Sequence, residues 1–257
     1  WVNRSRLLQG KTVYGLRRVL PPTPDERQSR QLTELRKRLA QMRTKTINRV
    51  KHILRRHNLQ QECPTKGIQT IKAMKWLSEL ELDWMDHMEM DQLLTQWATC
   101  NEQIDEVNAR IETRQKEDEV ACIIASLPGA GAYSSLAVAS RIGPIDRFPR
   151  AKSLANYWGL TPGCSNSGEV TDRLGSITKQ GSTMVRFILG QLVLQVLRRD
   201  PYMKQWYQRI KKRRGSKIAR VAVMRRLAEI IWHMVKYRQA YVIGGPTEWQ
   251  KVYGARP

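Results

Sequence analysis

The chain has 257 residues, with 45 Lys and Arg against 23 Asp and Glu and a formal net charge of +22. This excess of positive charge predicts a polyanionic partner. No stretch approaches the run of about 18 apolar residues that a transmembrane helix needs, no signal-peptide pattern opens the chain, and the four cysteines form no C-x-x-C pair, so we expect a cytoplasmic protein without membrane contact.

A long basic helix is predicted near the start. Thr23 is a candidate N-cap, and apolar residues at three- and four-residue spacing predict a helix from Arg27 to Arg56. These residues include eleven Lys or Arg and one acid, Glu34. A face of one sign repels itself, and a bound polyanion relieves the repulsion. We therefore expect nucleic acid here, and the sequence leaves RNA and DNA both open. The expected contacts are Arg36, Lys37, Arg43 and Arg49.

The sign of the charge reverses from Glu79 to Glu119, where thirteen acids face three bases. Within this segment, residues 90–111 repeat apolar side chains at alternating steps of three and four, the a/d pattern of a coiled coil. The partner could be another helix of the same chain or a second subunit. We favour a homo-oligomer formed through residues 90–111, although Trp97 is bulky for a dimer seam.

The composition changes again at Val120. Residues 123–131, IIASLPGAG, lead into an apolar stretch and predict a helix, a tight glycine turn and a second helix. The pattern resembles a helix-hairpin-helix module, in which Gly129 and Gly131 would let backbone N–H groups reach a phosphate. A plain turn that packs one helix on another explains the pattern equally well.

Four further elements are predicted after this turn. Residues 149–159 predict a short helix, and 160–186 form a glycine-rich segment that is either a site of chemistry or a solvated surface loop. Residues 184–198 predict a core helix. A second basic cluster at 211–217, which includes Lys211 and Arg213, precedes a final amphipathic helix ending at Arg238, and the last residues should be frayed.

The order of the motifs is similar to transposases of the insertion-sequence-110/1111 family. The motifs are L-P-G-x-G at 127–131, I-G-x-I-x-R-F at 142–148, A-x-Y-W-G-L-T-P at 155–162, S-G at 167–168 and I-T-K-Q-G at 177–181 with a downstream Arg. The resemblance implies a mainly α fold. Residues 1–60 would be the basic helices that end a truncated RuvC-like domain, 61–119 a helical coiled-coil linker, and 120–257 an all-α transposase domain.

The resemblance also implies Mg²⁺ as a cofactor, held by four acidic residues of the RuvC-like domain. We expect these residues upstream of Trp1, no metal ligands in this chain, and no cleavage by this chain alone. DNA is the implied substrate, and a structured guide RNA is the implied partner.

A serine nucleophile is implied in the loop after G-L-T-P. Ser167, directly before Gly168, matches the position in the family, and Ser165 is the competitor. The serine oxygen would attack a DNA phosphodiester and form a phosphoserine link. Lys179, Arg173 and Arg186 are the candidates for binding the reacting phosphate. The alternative function is a non-catalytic nucleic-acid-binding protein built from basic helices.

Overall fold

A computed structural model describes residues 20–164 and 174–253, which are mainly helical, as the sequence predicts. The helices are α1 (Pro24–Arg56), α2 (Ile71–Ser78), α3 (Trp84–Glu117), α4 (Glu119–Ala125), α5 (Ala132–Ala139), α6 (Ala151–Tyr157), α7 (Thr183–Arg199), α8 (Pro201–Lys236) and α9 (Thr247–Tyr253). Single turns of 3-10 helix occur at Leu59–Gln61 and Ile145–Arg147. The strands β1 (Pro162–Cys164) and β2 (Leu174–Ile177) pair in antiparallel register, an element that the prediction of an all-α domain did not include. Within the described ranges, no helix has the length and apolarity that crossing a membrane requires.

Helix α1 begins where the sequence places its cap. The Thr23 hydroxyl accepts from the backbone N–H of Glu26, and the Glu26 carboxylate accepts from the N–H of Thr23, a reciprocal capping box. The helix then runs antiparallel to α3, since residues later in α1 meet residues earlier in α3. The helix forms a long hairpin with α3 through the segment that contains α2.

The expected homo-oligomer through residues 90–111 is wrong for this seam, because α1 covers it inside the same chain. The seam residues are all buried: Met90, Leu93, Trp97, Cys100, Ile104, Val107 and Ile111. Against the first of them pack four apolar residues near the end of α1: Ile47, Val50, Ile53 and Leu54. Ile68 and Leu77, from the segment between the helices, complete this core around Trp97. The bulky indole of Trp97 therefore packs in a core built from three parts of the chain. A regular two-stranded coiled coil would not offer that space.

A second core joins the base of the hairpin to the C-terminal helices. Ile104, Val107 and Ile111 of α3 and Leu39 of α1 belong to the same buried cluster as residues of α4 to α8. The change of composition near residue 120 therefore lies within one shared core, and the hairpin is built onto the helices that follow it.

Helix α8 includes the second basic cluster, which is helical apart from a kink at Gly215. There φ is +81° and ψ is +167°, a conformation that only glycine adopts readily. Residues 211–218 are all exposed.

Residues 237–253 are anchored to the helices, whereas the sequence predicted that the last residues are frayed; residues 254–257 lie outside the described residues. Trp249 of α9 is buried, and the Arg226 guanidinium carbon lies 4.5 Å from the ring centres of both Trp206 and Trp249. Burial lowers the pKa of Arg226, while the negative charge of Asp200 raises it. The missed signal is the pair of tryptophans, which can enclose an Arg through cation–π contacts.

Candidate nucleic-acid interface

A surface groove of about 1150 Å³ lies between α1, the turn from α4 to α5, and α7. Its described lining includes four cations, Arg36, Lys37, Lys45 and Arg198, and no carboxylate. A concave surface with charge of one sign raises the local concentration of the opposite charge. The groove therefore has the electrostatic character of a polyanion site.

Two contacts hold Arg36 in place. Its Nε donates to Oδ1 of Asn108 on α3 at 3.3 Å, and its guanidinium carbon lies 4.7 Å from the ring centre of Tyr133 on α5. The Tyr133 hydroxyl donates to the sulfur of Met184 at 3.4 Å. Burial raises the pKa of Tyr133, so the phenol stays neutral beneath the cation. Arg36 is thus oriented before any ligand arrives.

The one acid of the basic stretch, Glu34, joins α1 to the C-terminal helices. Its Oε1 accepts from Nη2 of Arg141 at 3.1 Å, and Nη1 of Arg141 donates to Oγ1 of Thr33 at 3.2 Å. Close by, Nε of Arg30 donates to the carbonyl oxygen of Ser140 at 2.6 Å. Burial lowers the pKa of Arg141, and the neighbouring Glu34 raises it. These bonds dock α1 on α5 and thereby hold one wall of the groove.

The two glycines of the predicted turn have different surroundings. Gly129 has φ +84°, and a Cβ there would lie 2.5 Å from Cγ of Gln195 on α7. Gly131 is the N-cap of α5 without a side-chain cap, and a Cβ there would meet nothing within 4 Å. The first N–H groups of a helix lack partners within that helix. Gly129 therefore packs the turn on α7, and Gly131 leaves the start of α5 open to the groove.

The Thr-Lys-Gln-Gly segment at 178–181 packs directly on the end of α6. Gly159 and Gly181 have φ of +69° and +83°, and a Cβ on either would come within 2.1 Å of a backbone oxygen of the other segment. Lys179 is exposed with φ +54°, and its backbone N–H donates to the carbonyl oxygen of Gly159 at 3.1 Å. The close packing of these two backbone segments fixes the direction in which the Lys179 side chain extends into solvent.

Arg186, in the first turn of α7, contacts residues 178–181, which we call the 178–181 corner. Its Nη1 contacts the carbonyl oxygens of Trp158, Gln180 and Gly181 at 3.1, 3.0 and 3.2 Å. This nitrogen is therefore used for backbone contacts.

The other predicted cations lie apart from the groove. Arg43 donates from Nη1 to Oδ1 of Asn101 at 3.3 Å, and thus faces α3. Arg49 lines a smaller groove of about 550 Å³ farther along α1, which also includes Lys45. Lys211 and Arg213 are exposed on α8 just before its kink. Of the predicted contact residues, the structure brings Arg36, Lys37, Gly129 and Gly131 together.

Ser165, Ser167 and Arg173 lie outside the described residues. Strands β1 and β2 stand on either side of them in the chain, with Cys164 paired to Leu174 in register. The pairing brings Cys164 and Leu174, which flank this segment in the chain, close together.

Phe187, Leu194 and Arg198, all on α7, are among the groove residues that were not predicted from the sequence. Phe187 and Leu194 are 53% and 49% exposed, although they belong to a helix predicted to be core. The available signal was the position of Phe187 and Leu194 off the apolar stripe of α7.

One group of three potential metal ligands occurs among the described residues, namely His57, Asp83 and Asp86, with ligand atoms within 4.8 Å of one another. Arg56 forms a close ion pair with Asp86, whose other oxygen lies 2.6 Å from Nε2 of His57. A guanidinium in this position competes with a cation for the carboxylate. The group therefore does not fit a Mg²⁺ site, and it lies at the end of α1 rather than along the groove.

Residues 121–208, which include the glycine turn and α7, match the model of a family described as transposase, IS116/IS110/IS902 family. Over 244 residues the chain is 27% identical to the transposase for insertion sequence element IS1111A of Coxiella burnetii, covering 93% of this chain and 64% of that protein. It is 24% identical over 219 residues to the transposase for insertion sequence element IS1328 of Yersinia enterocolitica (83% and 64%). It is 29% identical over 126 residues to the putative transposase y4qE of Sinorhizobium fredii (49% and 30%). The chain spans less than two thirds of the length of these curated relatives.

Proposed function

We propose that the chain, which matches the IS116/IS110/IS902 transposase family over residues 121–208 and resembles curated transposases over most of its length, acts on DNA as the transposase of an insertion sequence. The observation that carries the proposal is the groove between α1 and α7, in which four cations and no carboxylate line the described surface. A site for DNA needs such a surface because every nucleotide brings one negative charge.

In this proposal, the groove binds the sugar–phosphate backbone. Arg36 and Lys37 contact phosphates from α1, and the open N–H groups that follow Gly131 bind a phosphate at the start of α5. Cationic side chains and a helix N-terminus reinforce each other, since both favour the same negative charge. The turn thus works in the manner of a helix-hairpin-helix, with Gly129 as its packing residue and Gly131 as the point of close approach.

The reaction that we propose is a transesterification at phosphorus. The Oγ atom of Ser167 attacks a DNA phosphodiester, and a P–O bond forms between serine and strand as the bond to the leaving deoxyribose oxygen breaks. The leaving oxygen takes the electron pair and a proton, and the serine proton goes to solvent. No oxidation occurs, and the ester keeps the bond energy for rejoining to a second strand.

Lys179 and Arg186 have separate roles in this proposal. Lys179 extends from residues 178–181, which follow the segment of Ser167 in the chain, and provides a positive charge for the reacting phosphate, together with Arg173. Arg186 is a positioning residue, because its Nη1 holds three carbonyl oxygens of the corner from which Lys179 extends.

Mg²⁺ and a guide RNA belong to the same proposal. The family resemblance implies that Mg²⁺ would be held by carboxylates outside the described residues. Bound there, it would supply positive charge for the phosphate oxygens. A structured RNA would choose the target by base pairing, while the basic surface of the protein binds backbone and shape.

The experiment is covalent capture. Full-length protein is incubated with end-labelled DNA of its element and Mg²⁺, and the products are separated under denaturing conditions. We expect a protein–DNA adduct in the unmodified protein and in Ser165→Ala, and none in Ser167→Ala. An adduct that persists in Ser167→Ala would show that the nucleophile is another residue. Binding of DNA without an adduct in any variant would favour the non-catalytic binding protein.

A further inference from the structure

The two long walls of the groove differ in chemistry. The α1 wall presents three cations, Arg36, Lys37 and Lys45, beside the small or polar residues Ala40, Gln41 and Thr44. The α7 wall presents apolar and amide side chains for most of its length, namely Phe187, Gln191, Leu194 and Gln195, before it reaches Arg198. Spacings of four, seven and eight residues place these α7 residues on one face of the helix.

Phe187 is the aromatic residue of this groove whose ring is exposed and uncovered. The chain has two phenylalanines, and the other, Phe148, is buried. Tyr133 also lines the groove, but the Arg36 guanidinium covers its ring at 4.7 Å. Phe187 is 53% exposed, and Leu194, two turns later on the same face, is 49% exposed. One exposed apolar residue needs no explanation, but two on one wall of a cationic groove do.

These walls would be poorly matched to a regular duplex. A duplex has phosphates along both of its edges and keeps its bases paired inside, so both walls would face phosphate. Phe187 and Leu194 offer nothing to a hydrated anion. An unpaired strand has its phosphates on one side and its bases on the other, and exposed bases stack on aromatic rings and bond to amides.

We propose that the groove holds an unpaired strand of nucleic acid, with phosphates along α1, bases along α7, and Phe187 as a stacking platform. This inference rests on the proposed function, because it requires that the groove bind nucleic acid at all. The recognised chemistry, an unstacked base on a phosphodiester backbone, is common to single-stranded DNA and RNA.

The test measures binding of the full-length protein to three fluorescein-labelled probes of one sequence: single-stranded DNA, single-stranded RNA and duplex DNA. In Phe187→Ala, affinity for at least one single strand should fall about 5- to 150-fold, the effect of losing one stacked base. Affinity for the duplex should stay unchanged. Phe187→Tyr should retain binding, whereas Phe187→Leu should not, because it keeps the apolar surface and removes the ring.

Ile218→Ala is the matched control, since Ile218 is 54% exposed on α8 and does not line the groove. Circular dichroism of every variant checks that the fold is kept. A probe with 2-aminopurine in place of one adenine adds a direct signature, because stacking on Phe187 should change its fluorescence and Phe187→Ala should abolish that change. The DNA and RNA probes distinguish the source of the strand.

An equal loss for duplex and single strands, or no loss for any probe, would overturn the inference. Arg36→Gln and Lys37→Gln separate this failure from that of the proposed function. If they weaken binding while Phe187→Ala does not discriminate between probes, only the unpaired strand is excluded. If they too have no effect, the groove is not the nucleic-acid site and both proposals about it fail.

Discussion

Nη1 of Arg186 lies 3.1 Å from the carbonyl oxygen of Trp158, and this contact joins the first turn of α7 to the residue that follows α6. The segment between these two residues includes both strands and the 178–181 corner. The placement of that corner therefore depends on Arg186, although its guanidinium was expected to contact phosphate.

Replacing Arg186 should lower the stability of the protein, whereas replacing Lys179 should weaken DNA binding. Arg186→Met removes a charged donor from three carbonyl oxygens, so we expect the free energy of unfolding to fall by about 1.5–3 kcal/mol. Lys179→Met, at an exposed position, should leave the free energy of unfolding unchanged and weaken DNA binding. Urea titration and fluorescence anisotropy measure the two quantities. Arg186→Met that unfolds like the unmodified protein would contradict the positioning role.

The two glycines of the turn should respond differently to alanine. Gly129→Ala places a methyl group 2.5 Å from Cγ of Gln195 and leaves φ at +84°, so we expect a loss of several kcal/mol in the free energy of unfolding. Gly131→Ala fills open space and should cost only about 1 kcal/mol or less, because alanine is a poorer N-cap than glycine. If a phosphate approaches the start of α5, the same variant should weaken binding. Gly131→Ala with unchanged affinity would show that no phosphate comes close to this N-terminus.

The α1 wall should account for much of the salt dependence of binding. If Arg36, Lys37 and Lys45 each neutralise a phosphate, replacing all three by Gln should reduce the slope of log affinity against log salt concentration by about 2 to 3. Lys211→Gln with Arg213→Gln, away from the groove, is the control and should change the slope less. Anisotropy titrations over a range of salt concentrations give both slopes. A larger change in the control would move the interface to α8.

The positions of the helices could be predicted because their signals are local. The spacing of apolar residues predicted Arg27–Arg56, and α1 is Pro24–Arg56. The partner of the 90–111 seam could not be predicted this way. An a/d pattern records that one face is buried, and it does not record whether the covering helix belongs to the same chain.

The groove was only partly predictable for a similar reason. Arg36 and Gly131 were identified as phosphate contacts from charge and turn chemistry, but nothing in their sequence neighbourhoods indicates that they share a surface. Their meeting depends on the bonds from Arg141 to Glu34 and Thr33, between residues more than one hundred positions apart. Phe187 was missed because exposure is decided by the packing of α7 on other helices.

Because α1 covers the 90–111 seam within one chain, we expect the stability of the protein to be independent of protein concentration. Trp97 is 3% exposed within the core between α1 and α3, so Trp97→Ala should lower the free energy of unfolding by about 3–5 kcal/mol. The melting temperature of the unmodified protein should not rise with protein concentration, whereas it would rise if the seam lay between subunits. Scanning calorimetry over a wide range of concentrations tests this. A rise in melting temperature that Trp97→Ala abolishes would restore pairing through 90–111.

The C-terminal anchor should depend on pH through Tyr241. Buried Asp200 accepts from the N–H groups of Met203 and Gly244 at 3.0 and 2.9 Å and from the Tyr241 hydroxyl in a close hydrogen bond. Burial raises the pKa of Tyr241, and the bond to Asp200 raises it further. At neutral pH, Tyr241→Phe should cost about 1.5–3 kcal/mol, since it removes a hydrogen bond to a charged group.

The sign of the pH effect follows from which state holds the proton. Folded Tyr241 keeps its proton above pH 10 while the unfolded residue loses it, so the stabilisation is complete below about pH 10 and declines as pH rises. The difference in unfolding free energy between the unmodified protein and Tyr241→Phe should therefore shrink by about 1.4 kcal/mol per pH unit above this point. Urea titrations at about pH 8 and about pH 11 bracket the change. Because other tyrosines and lysines titrate equally in both proteins, only the difference between them reports on Tyr241, and a difference that stays constant would show that this phenol ionises normally in the folded state.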